Sequence, residues 1–153
     1  MNICLLTHQR ELKKKTNTGT LVSDVMGESC KLYVWHRAKP DTELLKTIAT
    51  ESVALVYPSE KSIPIHTADT FDNYIILDGT WQESRKIYNQ SAYLKGLQQV
   101  KLEPKVASIY SLRRNQKEMG LCTAECAIEV LKSNGECRQA KSIQDNLIAF
   151  IAT

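Results

Sequence analysis

No stretch of this chain approaches the ~18 consecutive apolar residues of a membrane-spanning helix, so no membrane span is expected. The opening Met-Asn-Ile-Cys-Leu-Leu-Thr lacks a basic leader and a full apolar segment, so it does not read as a signal peptide. It reads as a first strand, and a cytoplasmic setting is the expectation. The five cysteines, Cys4, Cys30, Cys122, Cys126 and Cys137, are odd in number and share no repeated spacing. That argues against a disulfide framework and for reduced thiols. Cys122 and Cys126 could share a helix face, but no histidine is near, so packing is their expected role and no metal is expected. A strong charge of one sign is missing too. Twenty basic against 17 acidic residues leave +3, which excludes a strongly basic nucleic-acid binder. There is no internal repeat and no low-complexity segment. At 153 residues, 42% hydrophobic and 24% charged, residues 1–153 read as one globular domain.

What is present alternates. Residues 2–7 read as a strand, followed by a polar, lysine-rich loop ending at Asn17-Thr18-Gly19. Residues 31–35 alternate as a short strand, and Pro40-Asp41 opens a helix to about Ala49. An apolar strand is predicted over 52–57, a loop over 63–71, a strand over 74–77 and one long helix from Thr80 to about Leu97. A strand over 99–102 follows, and 108–116 is ambiguous, with a loop running past the site expected from Lys105 onward. Thr123 opens a helix that stops near Asn134-Gly135, and 139–151 form a last helix with Ile143, Leu147, Ile148 and Ile151 on one face. Strands alternating with helices predict an α/β fold, a mostly parallel sheet with helices on both faces.

The most informative segment is Asp78-Gly79-Thr80-Trp81, directly behind the apolar run Tyr74-Ile75-Ile76-Leu77. Open α/β sheets place their ligand sites at such strand-to-helix corners. Thr80 followed by Glu83 reads as a capping box, and Gly79 permits a sharp turn or a close approach. Trp81 offers a flat face to a nucleobase, adenine or uracil, although packing under the helix is the blander expectation. Asp78 admits three readings: a general base, a carboxylate that orients an N–H, or a simple turn at the strand end. Basic residues gather near these segments: Lys13-Lys14-Lys15, Arg85-Lys86, and Arg113-Arg114 with Lys117.

Asp-x-Thr-Trp resembles the signature of the DTW-domain family, and four further blocks match in order. They are His8-Gln9-Arg10-Glu11 with Asn17-Thr18-Gly19, Leu55-Val56-Tyr57-Pro58-Ser59, Ser108-Ile109-Tyr110-Ser111-Leu112-Arg113, and Leu121-Cys122-Thr123-Ala124-Glu125. The resemblance implies transfer of a 3-amino-3-carboxypropyl group from S-adenosylmethionine to N3 of a uridine in tRNA. It also implies a SPOUT-like fold with a C-terminal trefoil knot. On that resemblance Asp78 is the catalytic candidate. Tyr57, Pro58, Ser59, Leu77, Gly79, Thr80, Trp81, Leu121, Thr123 and Glu125 are candidates for the cofactor. His8, Glu11, Asn17, Thr18, Gly19, Arg85 and Arg113 are candidates for the RNA, with a monomer favoured. Longer family members carry a cysteine cluster before the histidine–glutamate block, whereas here Cys4 stands alone among residues 1–7. Two alternatives stay open: an RNA methyltransferase using the same corner, and an RNA-binding module without catalysis. The residues alone give no preference between aminocarboxypropyl and methyl transfer. The five blocks resemble the aminocarboxypropyl family rather than SPOUT methyltransferases, whose cofactor loops are expected to be glycine-rich. Tyr57-Pro58-Ser59 and Leu121-Cys122-Thr123 have no paired glycines.

Overall fold

Short apolar runs with side chains alternating between two faces dictate the centre of the molecule. The computed structural model describes residues 1–103 and 121–152. Six strands of the described residues form one sheet: β1 (Asn2–Thr7), β2 (Cys30–Val34), β3 (Val53–Val56), β4 (Ile63–Pro64), β5 (Asn73–Asp78) and β6 (Gln98–Lys101). Their order is β2-β1-β5-β3-β6-β4, and every neighbouring pair is parallel. Among the described residues six α-helices accompany them: α1 (Gly19–Met26), α2 (Thr42–Thr50), α3 (Trp81–Asn89), α4 (Ala92–Lys95), α5 (Thr123–Ser133) and α6 (Cys137–Ala152). The α/β class and the mostly parallel sheet expected from the sequence are therefore observed.

Period-two alternation splits the core in two. Ile3, Leu5, Tyr74 and Ile76 pack with Val22 and Met26 of α1, Ala127 and Leu131 of α5, and Ile143 and Leu147 of α6. Cys4, Leu6, Ile75 and Leu77 face the other way, onto Leu44 of α2, Ile87 of α3 and Leu94 of α4. Helices thus cover both faces, as a buried parallel sheet requires. The central strand β5 is buried along its whole length, whereas Leu32 on the edge strand β2 is exposed.

Four expectations need correction. The long helix predicted from Thr80 to Leu97 is two, α3 and α4, broken where Ser91 leaves helical geometry and its hydroxyl accepts the buried Trp35 indole N–H at 2.8 Å. The segment read as a loop over 63–71 contains the edge strand β4 and a 3-10 turn at Ile65–Thr67. Helix α1 was not expected, since the polar loop before it drew attention from the apolar pairs Leu21-Val22 and Val25-Met26 one turn apart. Ile148 is half exposed, so the buried stripe of α6 is Ala140, Ile143 and Leu147. The predicted loop at 108–116 lies outside the described residues. So does the link from β6 to α5, on which a C-terminal knot depends.

Topology fixes where a ligand can sit. The connection leaving β1 runs through α1 to β2 on one side, while that leaving β5 runs through α3 and α4 to β6 on the other. The carboxyl ends of the adjacent strands β1 and β5 therefore flank the crevice where connections diverge, and Thr7 is paired in register with Asp78 there.

Candidate active site

Asp78 ends β5, and its carboxylate is nearly inaccessible, with 1% of the residue exposed. Three neutral donors reach it from distant parts of the chain. Thr7 Oγ1 donates to Oδ2 at 3.1 Å, Asn17 Nδ2 to Oδ1 at 2.9 Å and Thr123 Oγ1 to Oδ1 at 2.7 Å. The carboxylate thus ties the end of β1, the loop before α1 and the start of α5 to the β5 corner. A carboxylate offers about four acceptor positions, so one on Oδ2 is left among the described residues.

Gly19 explains how that position stays open. A Cβ on Gly19 would lie 3.1 Å from Asp78 Oδ2 and 2.9 Å from Asn17 Oδ1. Any side chain there would cover the less occupied oxygen and push Asn17 out of place. Gly19→Ala should therefore cost about 1–3 kcal/mol by overpacking. It should also reduce activity more than its stability loss explains. Thermal unfolding together with turnover checks this, and unchanged turnover would show that access to Oδ2 is not needed.

Around Asp78 runs a polar network. Asn17 Nδ2 also donates to Glu11 Oε1 at 3.1 Å, and Lys14 pairs with the other Glu11 oxygen. Asn17 Oδ1 accepts the Gly19 N–H at 2.8 Å, which shapes the turn into α1. Thr18 Oγ1 accepts the Ala124 N–H at 3.0 Å, so the Asn-Thr-Gly loop caps the start of α5. Glu83 closes the other side. It accepts the Thr80 N–H at 2.9 Å while Thr80 Oγ1 accepts the Glu83 N–H at 3.1 Å, the predicted capping box. Burial opposes ionisation of Glu83 most strongly. The Thr80 amide, a hydrogen bond with Glu11 and the charges of Lys14 and His8 outweigh it and hold the carboxyl below its usual range. His8 stacks on Trp35, with Nδ1 3.6 Å from Glu83 Oε2. A cavity of about 90 Å³ opens onto Asp78, Glu11, Lys14, Asn17 and Gly19, with the exposed Leu12 and Leu32 also in its wall.

A family model for the DTW domain matches residues 1–153. The chain belongs to the DTW-domain family. It is 30% identical over 148 residues to tRNA-uridine aminocarboxypropyltransferase 2 of Drosophila melanogaster, covering 90% of this chain and 59% of that protein. It is 23% identical over 148 residues to tRNA-uridine aminocarboxypropyltransferase 2 of Macaca fascicularis, covering 87% of this chain and 48% of that one. The chain thus spans about half the length of the curated relatives it matches. No solved structure matches it.

Within this DTW domain the signature tetrapeptide divides between two jobs. Asp78 faces inward to the polar network, while Trp81, 43% exposed, stacks on Tyr57 at 5.8 Å with the rings 10° apart. Packing of Trp81 under the helix, the blander expectation, is therefore not what the fold does. Tyr57 also stacks on Tyr88 at 4.2 Å, and burial raises its phenol pKa against the opposing charge of Arg85. Ser59 hydrogen bonds to Gln99, which also accepts from Tyr88 at 3.3 Å. The Gln99 amide nitrogen is buried without a partner among the described residues. Gly79 permits close approach, since a Cβ there would meet Glu83 Cβ at 2.9 Å.

The other candidates separate. Leu77 is core, Pro58 and Arg85 are exposed, and Leu121 is half-buried. Glu125 accepts the Cys122 N–H at 3.1 Å, so it serves the N-terminus of α5. Arg113 lies outside the described residues. Four of the five thiols are poor nucleophiles at neutral pH: burial pushes Cys4 and Cys30 up to about 11, Cys122 to about 12, and Cys126 further still. Among the described residues no group of three or more His, Cys, Asp and Glu side chains could hold a metal. Thr7, Trp35, Tyr88 and Gln99 were missed by sequence reasoning. For Thr7 a signal existed, a hydroxyl closing an otherwise apolar strand just before the His8 block.

Proposed function

We propose that this DTW domain transfers a 3-amino-3-carboxypropyl group from S-adenosylmethionine to N3 of a uridine in tRNA, releasing 5′-methylthioadenosine. The observation that carries the reading is the convergence of Thr7, Asn17 and Thr123 on the buried Asp78, with one acceptor position on Oδ2 left beside Gly19 among the described residues. The activities after which the relatives are named support the same reaction class. The SPOUT-like knot and the cytoplasmic setting belong to this proposal as well.

The donor set fits the cofactor's amino-acid arm. Asp78, Glu11 and Glu83 are buried carboxylates within one region, with Lys14 paired to Glu11 beside them. Such a set suits a ligand bearing a sulfonium and an ammonium, with Glu11 and Asp78 facing the cationic groups and Lys14 the carboxylate. When bound, the cofactor supplies an electrophilic methylene next to its sulfonium. The cavity of about 90 Å³ is small beside the ~300–1,000 Å³ of whole-ligand pockets, so it suits one end of a ligand rather than a nucleoside.

Asp78 acts on the uridine. Its free acceptor position would take the N3–H hydrogen bond, orient the base and receive the N3 proton as the N3–C bond forms and the C–S bond to the departing thioether breaks. Holding the nucleophile in line is where most of the acceleration arises, because well-oriented groups can save about 7–11 kcal/mol. Incubating the protein with bulk tRNA and cofactor, then separating the products, tests the assignment. Methylthioadenosine should form in proportion to modified uridine. S-adenosylhomocysteine in its place would identify a methyltransferase, and tRNA binding without either product a non-catalytic module.

A further inference from the structure

The outer face of α3 carries a pattern that the Asp78 site does not use. Trp81, Arg85 and Tyr88 are spaced i, i+4 and i+7, so they form one stripe along the helix. Tyr57 at the end of β3 stacks with both aromatic members, at 5.8 Å and 10° to Trp81 and 4.2 Å and 14° to Tyr88. Lys95 of α4 lies 5.6 Å from the centre of the Tyr88 ring. Arg85 is close enough to Tyr57 to affect its ionisation, and Arg85 and Lys86 are exposed on the same helix. The result is a near-parallel pile of three rings, with Lys95 over the Tyr88 end, Arg85 near the central Tyr57 and a Trp81 that is 43% exposed at the other end.

We propose that Trp81, backed by Tyr57 and Tyr88 with Arg85 and Lys95 along the same pile, is a platform on which a base of single-stranded RNA stacks. Rings held parallel to one another already have the geometry that the next base in a stack would continue. Cations interleaved with aromatics form the surface that binds single strands, the rings taking base faces and the cations taking phosphates. Charge also selects the occupant. A cofactor of net positive charge gains less from Arg85 and Lys95 than an RNA backbone with a negative charge on every phosphate. The corner is thereby shared, with Asp78 turned to the reacting group and Trp81 to the strand that carries it. A uridine drawn out of its neighbours' stack leaves a base face unpaired, and the Trp81 ring can cover it.

This inference rests on the tRNA reading above, yet the two can fail separately. The test titrates a single-stranded uridine decamer against the parent, Trp81→Phe and Trp81→Leu, following tryptophan emission of the parent and the Kd of all three. Trp81 is the exposed one of the two tryptophans, so stacking should quench the parent's emission. Trp81→Leu should weaken binding about tenfold or more, and Trp81→Phe should keep most of it because a flat ring remains. Both variants should melt at the parent temperature, since the residue is a surface one at the first helical position. Equal affinity for parent and Trp81→Leu would overturn the platform. So would quenching by adenosine or S-adenosylmethionine but not by the decamer. If the decamer quenches and Trp81→Leu binds poorly, the platform stands even where the parent transfers no group to tRNA. Full transfer by Trp81→Leu with unchanged decamer affinity would reject the platform and keep the transferase.

Discussion

Asp78→Asn should fold with a stability within about 1 kcal/mol of the parent and lose about a hundredfold or more of its transfer rate. The network makes this a clean substitution. An asparagine carbonyl in place of Oδ1 still accepts from Asn17 and Thr123, and its amide takes the place of Oδ2, where the Thr7 hydroxyl can turn to accept. Geometry survives and the charge does not. What disappears is the acceptor beside Gly19, replaced by an amide that can only donate. Asp78→Ala is the contrast. It leaves buried donors on three segments unpaired at about 1–3 kcal/mol for each that finds no other partner. That variant should melt well below the parent, and its loss of turnover would mix folding with chemistry. Circular dichroism, thermal melts and single-turnover transfer on the two variants separate these effects. Parent-like turnover by Asp78→Asn would confine Asp78 to holding the corner together.

The convergence on Asp78 also shows what a sequence can and cannot reveal. The corner itself was legible because its causes are local. An apolar run of four to six residues makes a strand, and Thr80 with Glu83 three positions on makes a capping box whatever the remainder of the chain does. The start of α5 was legible for the same reason, with Glu125 placed to cap the Cys122 amide. The partners of Asp78 were not, because Thr7, Asn17 and Thr123 lie 71, 61 and 45 residues away and only the sheet order brings them together. Resemblance supplied Asn17 and Thr123 as separate blocks without saying that they meet. Thr7, a strand residue outside those blocks, was supplied by neither. The break between α3 and α4 is of the same kind: helical spacing continues through Ser91, but a tryptophan from another strand end claims its hydroxyl.

Ile143→Ala should lower stability by about 2–5 kcal/mol, whereas Ile148→Ala should change it by less than about 0.5 kcal/mol. Both are isoleucines on α6, and spacing alone placed them on one face. Ile143 is fully buried, while Ile148 is half exposed. The difference reaches the site through packing. Helix α6 lies against α1 and α5, whose N-termini present Gly19 and Thr123 to Asp78. Removing Ile143 opens a cavity in the layer that holds these two helix ends in register, with Leu147, Val22 and Leu131 among the walls of the same core. For a domain of this size about 2–4 °C of melting temperature goes with each kcal/mol, so a shift near 10 °C is expected. Turnover in Ile143→Ala should fall as temperature rises, ahead of the main unfolding transition, because Gly19 and Thr123 loosen before the central sheet does. Parallel melts and temperature-ramped activity on the two variants read this directly. Equal losses from both substitutions would mean that α6 presents a different face to the sheet, and with it that the helix ends around Asp78 are held by something other than this layer.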